Sequence, residues 1–163
     1  MPVLVRTDVT VQPRNIQKFE DWWAGFGPIL RAQKGFSLGV LGSSPGDPAA
    51  YSSVTTWSDA QAFRDFFRGQ PRGQHLDAGR ETFTPRRGAQ VYELVHRVGD
   101  PPRGSAFTFA VLVEWTLTVG PSGARAFAES RKEVAELRQR HVKGFVAQSL
   151  WRHPDCPGVY GTS

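Results

Sequence analysis

The chain holds 163 residues, with 20 Lys+Arg against 15 Asp+Glu for a formal net charge of +5, a length that suits one ordinary domain or two small ones. At 39% hydrophobic and 12% aromatic it carries enough apolar surface for a core, which excludes wholesale disorder. The lone Cys156 excludes an internal disulfide and a cysteine-cluster metal site and suits a reducing cytoplasm. No apolar run reaches the about 18 to 20 residues of a membrane span, and the start MPVLVRTDVTV lacks the pattern of a signal peptide. The expectation is a cytoplasmic protein without a membrane partner.

Residues 3–11 alternate apolar side chains with Arg6, Asp8 and Thr10 at period two, the pattern of a half-buried strand. Pro13 and Asn15 then open a helix whose apolar positions Ile16, Phe19, Trp23, Phe26 and Leu30 step by three or four into one stripe. Gly27-Pro28 interrupts it, and because proline lacks a backbone donor and crowds the preceding turn, a kink or break is expected there. The helix ends by Gly35. Residues 36–41 read as a second strand, 43–48 as a loop with turn chemistry, and 51–57 as a third strand. Ser58 offers an N-cap, with Gln61 three residues on, for a short helix carrying Phe63, Phe66 and Phe67. A polar stretch rich in Gly and Arg follows, read as loop, and then 89–98 alternates again with Tyr92, Leu94, His96 and Val98 on one face. The order βαββαβ is that of a ferredoxin-like α+β unit.

Residues 99–105, rich in Gly and Pro, read as a linker. Beyond it the pattern restarts. Phe107 to Val119 alternate as a strand, 121–140 read as a helix, 145–151 as a strand, and another strand starts near Val159. Lys34-Gly35-Phe36 recurs as Lys143-Gly144-Phe145, and at the same displacement Leu41, Pro45, Pro48 and Tyr51 meet Leu150, Pro154, Pro157 and Tyr160. With the displacement one shorter, Val3, Val5, Val9 and Val11 meet Val111, Val113, Leu117 and Val119, then Pro13 meets Pro121 and Phe19 meets Phe127. The chain thus reads as a tandem repeat, with a first ferredoxin-like unit at 1–98 and a second, shorter and incomplete, at 106–163.

The aromatic helix, Lys34-Gly35-Phe36 and the run from Tyr51 through Trp57 to Phe63 resemble the antibiotic biosynthesis monooxygenase domain of the dimeric α+β barrel superfamily. That resemblance implies ferredoxin-like units paired as a barrel, usually in a homodimer. It implies oxidation of an aromatic or quinol-like small molecule by dioxygen, with no cofactor and no metal. The family pattern places a tryptophan at the end of the third strand, matched by Trp57. An asparagine four residues earlier is replaced by Ser53, and a tyrosine in the next helix by Phe63. Tyr51, Ser53 and Trp57 are the candidate catalytic residues by that resemblance.

Trp22, Trp23 and Phe26, with Thr55, Phe63 and His75, are candidate binding residues for a flat aromatic ligand. The haem-degrading branch wants a histidine nine or ten residues after the tryptophan, where Phe66 and Phe67 stand, which argues against iron ligation. No histidine has metal-ligand spacing with another. The arginines Arg64, Arg68, Arg72, Arg80, Arg86 and Arg87 come without a nucleic-acid signature and read as a solvated basic face. A non-catalytic small-molecule-binding or assembly module of the same fold is the alternative. It requires a filled interior, whereas an enzyme requires an open pocket reaching Ser53.

Overall fold

The computed structural model describes residues 1–44, 46–99, 115–143, 145, 147–156 and 158–162. Side chains 70–72, 74, 115, 116 and 121 lie outside that description, as do the expected linker after Gly99 and the first part of the second unit's opening strand. The chain divides into two units, Met1–Val91 and Tyr92–Ser163.

In the first unit, β1 (Val3–Val11) pairs antiparallel with β3 (Asp47–Trp57), which pairs antiparallel with β2 (Phe36–Ser44). A short β4 (Phe83–Pro85) joins the other side of β1 through Val9, Thr10 and Val11. Strand alternation sends Val3, Val5, Thr7, Val9 and Val11 to one face of the sheet, opposite Trp57, Thr55, Ser53 and Tyr51. Helix α1 (Ile16–Arg31) supplies Phe19, Phe26 and Leu30 to that face. The core there is not continuous. One cluster gathers Val3, Val5, Phe26, Leu30, Trp57 and Phe66, and another gathers Val9, Val11, Phe19 and Tyr51. Between them on the sheet stand Thr7 and its cross-strand partner Ser53.

Several expectations need correction. Helix α1 runs unbroken through Pro28, because one lost hydrogen bond is outweighed by the burial of Phe26 and Leu30 on either side of it. The cap of α2 (Ala60–Arg68) is Asp59, which accepts from the Ala62 amide at 2.8 Å, while the Ser58 hydroxyl donates to the other carboxylate oxygen at 2.9 Å. A carboxylate is the better acceptor for helix N-terminal donors. The expected loop at 43–48 shrinks to a tight hairpin, since β2 extends to Ser44 and β3 begins at Asp47. The polar stretch read as loop contains α3 (Gln70–Gly79). Pro71 falls in its first turn, where a missing N–H costs nothing, and packing on α1 supplies what the local sequence lacks.

The second unit also combines a helix with an antiparallel sheet. Most of β5 (Gln90–Val98) belongs to it, pairing antiparallel with β7 (Gln148–Arg152) from Glu93 to Val98. The expected boundary at 98 and the structural division at 91 differ by that strand. β7 pairs with β8 (Val159–Thr162), which pairs with β6 (Trp115–Thr118), all antiparallel. A single 3-10 turn, Pro121–Gly123, leads into α4 (Ala124–His141), as Pro13–Asn15 leads into α1. Val9 faces Tyr51 across β1 and β3, and Leu117 faces Tyr160 across β6 and β8. The Phe19 and Tyr51 rings lie 5.1 Å apart, and so do those of Phe127 and Tyr160. Both units are α+β, with helix and antiparallel sheet.

Candidate functional site

The gap between the two apolar clusters is the candidate site. A cavity of about 710 Å³ opens there, lined wholly by residues of the first unit. Its walls are aromatic: Phe19, Trp22, Trp23 and Phe26 from α1, Phe63 and Phe66 from α2, and Phe83 from β4. The sheet side carries three hydroxyls, Thr7, Ser53 and Thr55. Exposed Asp77, Arg80 and Arg87 complete the lining on the solvent side. Arg80 and Asp77 are 4.0 Å apart and largely solvated, so that pair adds little stability.

Trp22 organises the wall. Its indole N–H donates to the His75 carbonyl at 2.9 Å, and its ring stacks on His75 with centroids 4.9 Å apart and lies 5.9 Å from Phe26. His75 also stacks on Phe26, at 4.4 Å and 9° between planes. Gly79 closes against the face of Trp22, where a Cβ would collide with the indole. These contacts fasten α3 to α1. The His75 Nε2 is buried without a partner, and burial pushes the imidazole below its ordinary pKa.

The expected site residues separate into two groups. Ser53, Thr55, Trp22, Trp23, Phe26 and Phe63 line the cavity together. Tyr51, Trp57 and His75 are not in its lining. Tyr51 donates its hydroxyl to Glu20 at 2.7 Å, and burial, followed by the carboxylate beside it, pushes the phenol up to about 12. Trp57 is 1% exposed, packed against Phe36, Phe63 and Phe66, with its indole N–H donated to the Thr55 hydroxyl at 3.0 Å. His75 was expected on a loop and sits on α3 behind Trp22 and Phe26.

Thr7, Phe66, Phe83, Asp77, Arg80 and Arg87 are lining residues that the sequence reading did not select. For Thr7 the signal was present, as the one hydroxyl on a face otherwise made of valines. Among the described residues no three His, Cys, Asp or Glu side chains gather as metal ligands, and no helix is long and apolar enough to cross a membrane.

The sequence profile of the antibiotic biosynthesis monooxygenase family matches residues 2–78, the stretch that builds β1 to α3. Residues 2–78 thus resemble an antibiotic biosynthesis monooxygenase domain. Among solved structures, the chain is similar to SnoaB, a cofactor-independent oxygenase from Streptomyces nogalater, at 20% identity over 64% of this chain and 96% of that one, with a TM-score of 0.51. It is also similar to a proposed monooxygenase from Fusobacterium nucleatum, at 16% identity over 99% of this chain and 73% of that one, with a TM-score of 0.79. At these identities the likeness establishes the fold. No curated protein matches the chain.

Proposed function

We propose that the first unit is a cofactor-independent monooxygenase acting on a flat phenolic or quinol-like aromatic molecule. The observation that carries this is the open cavity reaching Ser53, walled by aromatic rings and floored by the hydroxyls of Thr7, Ser53 and Thr55. Among the described residues neither the Thr7 nor the Ser53 side-chain hydroxyl has a hydrogen-bond partner, so both can meet a ligand oxygen. A filled interior, which a purely structural module requires, is not what the first unit presents.

In such a site the rings hold the substrate plane and exclude water, while the floor hydroxyls favour its phenolate over its phenol. The anion is the reductant. It passes electrons to dioxygen, a ring CH2 carbon forms a bond to one oxygen atom and loses both hydrogens, and the second oxygen atom leaves with them as water. The products are a quinone carbonyl and one water, and both electron pairs come from the substrate.

The test is oxygen uptake with 1,8-dihydroxyanthrone in the presence of a chelator, measured against the spontaneous rate. One dioxygen consumed per anthrone, at a rate proportional to protein and lowered at least tenfold in Ser53→Ala/Thr7→Val, supports the reading. Uptake no faster than without protein overturns catalysis, and binding without turnover then assigns the cavity to a non-catalytic module.

We further infer that the chain arose by tandem duplication. The matched strand orders, the paired 3-10 turns and the Phe19–Tyr51 and Phe127–Tyr160 equivalence support it. Assembly of such units into a barrel, usually as a homodimer in this superfamily, belongs to the same proposal and is read from the particle mass in solution.

A further inference from the structure

The three floor hydroxyls are not equivalent. The Thr7 and Ser53 hydroxyls accept no hydrogen bond from the described residues, whereas the Thr55 hydroxyl accepts the indole N–H of Trp57 at 3.0 Å. Trp57 is held in place by its surroundings, with Phe66 stacked on it at 5.0 Å and Phe36 edge-on at 5.4 Å. It has no room to leave and no contact with the cavity. A threonine hydroxyl has one proton and two lone pairs, so accepting from Trp57 fixes the rotor and leaves the proton to donate. No acceptor for it exists among the described residues, and the side chain faces the cavity. Donation into the oxygen also polarises the O–H bond, which strengthens it as a donor in a site of low dielectric.

We propose that Thr55 is the hydrogen-bond donor that stabilises the ligand's phenolate oxygen, and that Trp57 is a positioning residue acting only through Thr55. This rests on the phenolic-substrate reading of the cavity. It also changes what Trp57 does: its ring completes the core, and its N–H sets the direction of a neighbour's proton. Ser53 lies on the same face one pleat away, about 7 Å along the strand, and lacks such an upstream donor, so it contributes independently of Trp57.

The test uses 2-hydroxyanthraquinone, a flat phenol with no carbon left to oxidise, whose bound phenolate is read by its absorbance as pH is varied. The wild-type cavity is expected to favour the phenolate about tenfold more than Thr55→Val does, the size of one hydrogen bond to a charged group. Thr55→Ser should keep that preference. Trp57→Phe should lose part of it in the wild-type background and none further in the Thr55→Val background. Should Trp57→Phe fail to fold, benzothienylalanine at position 57 keeps the ring shape and removes the N–H. A phenolate preference unmoved by Thr55→Val, with the probe still bound, overturns the proposal and leaves the cavity reading intact. An equal effect of the position 57 change with and without the Thr55 hydroxyl overturns the role of Trp57. Failure of the wild-type protein to bind the probe overturns both readings.

Discussion

Helices α1 and α4 occupy the same place in two similar units and carry opposite kinds of residue. Under the proposed duplication, Trp22 and Trp23 of the first align with Ser130 and Arg131 of the second. The anchoring pairs are kept: Phe19 meets Tyr51, and Phe127 meets Tyr160. Around that shared anchor, α1 builds stacked rings whereas α4 carries Lys132 paired with Glu129 at 2.8 Å and Arg131 over the Phe127 ring at 5.8 Å. Aromatic side chains on a helix face can wall a space without filling it, because rigid planes stack on one another and hold their own shape. Long charged side chains lack such rigid planes and do not stack into a wall. The fold therefore needs only the anchor, and the cavity needs the stack.

The largest change comes from converting the first unit toward the second at its central ring. Trp22→Ser removes the contacts with Phe19, Phe26, His75 and Phe83 and the hydrogen bond to the His75 carbonyl. Loss of a large aromatic side chain costs about 3 to 5 kcal/mol, which is a large share of a domain's stability. Urea denaturation should show that loss, and 2-hydroxyanthraquinone binding should fall with it. A midpoint within experimental error of wild type would show that the stack is not what holds α3 in place.

A smaller break acts on the same joint from the other side. Gly79→Ala puts a methyl group into the Trp22 indole, and overpacking of this kind costs about 1 to 3 kcal/mol. Because α3 is the element displaced, probe affinity should drop while the β1–β3 amides keep their hydrogen-exchange protection. Equal loss of protection across the sheet would mean that α3 is integral to the core.

The sequence made the longer strands and α1 legible because each buries one regular face: the valines of β1 at period two, and Phe19, Phe26 and Leu30 at helical spacing; the short β4 lay in the stretch read as loop. Helix α3 was illegible for a physical reason. Gly69, Pro71 and Gly73 all argue locally for a loop, and the helix is held by Trp22, more than fifty residues away in the chain. The candidate site was legible where it is made of type, the aromatic cluster and Ser53, and illegible where it depends on pairing. Nothing in the sequence shows that Thr7 stands opposite Ser53 or that the Trp57 N–H ends on Thr55.

Tyr51 and Tyr160 extend the comparison to their hydroxyls, one bonded to the Glu20 side chain at 2.7 Å, the other to the Ala124 carbonyl at 3.3 Å. Tyr51→Phe should cost about 1 kcal/mol. Its folded pKa, near 12, lies above the ordinary value of 10.0, so the unfolded chain loses its proton first as pH rises. The contribution of Tyr51 is therefore complete below pH 10 and is lost on the way to 12, a decline that Tyr51→Phe should lack. An alkaline stability curve of the same slope in both proteins would place the tyrosine outside the folding linkage.

The smallest effect concerns His75, whose half-buried imidazole stacks on Trp22 and Phe26 with its buried Nε2 unpartnered. Desolvation lowers its folded pKa below the ordinary 6.5, so on acidification the unfolded chain takes up the proton before the folded one does. Stability is fully present above about pH 6.5 and falls as pH drops below it, levelling once the folded histidine is also protonated. His75→Phe keeps a ring in the stack and removes the titration, so the difference between variant and wild-type urea midpoints should widen in the variant's favour from pH 7.5 to pH 5. Any pH dependence common to both proteins cancels in that difference. A constant difference across the range would mean that water reaches Nε2, and that α3 sits more loosely on Trp22 than the stacked geometry implies.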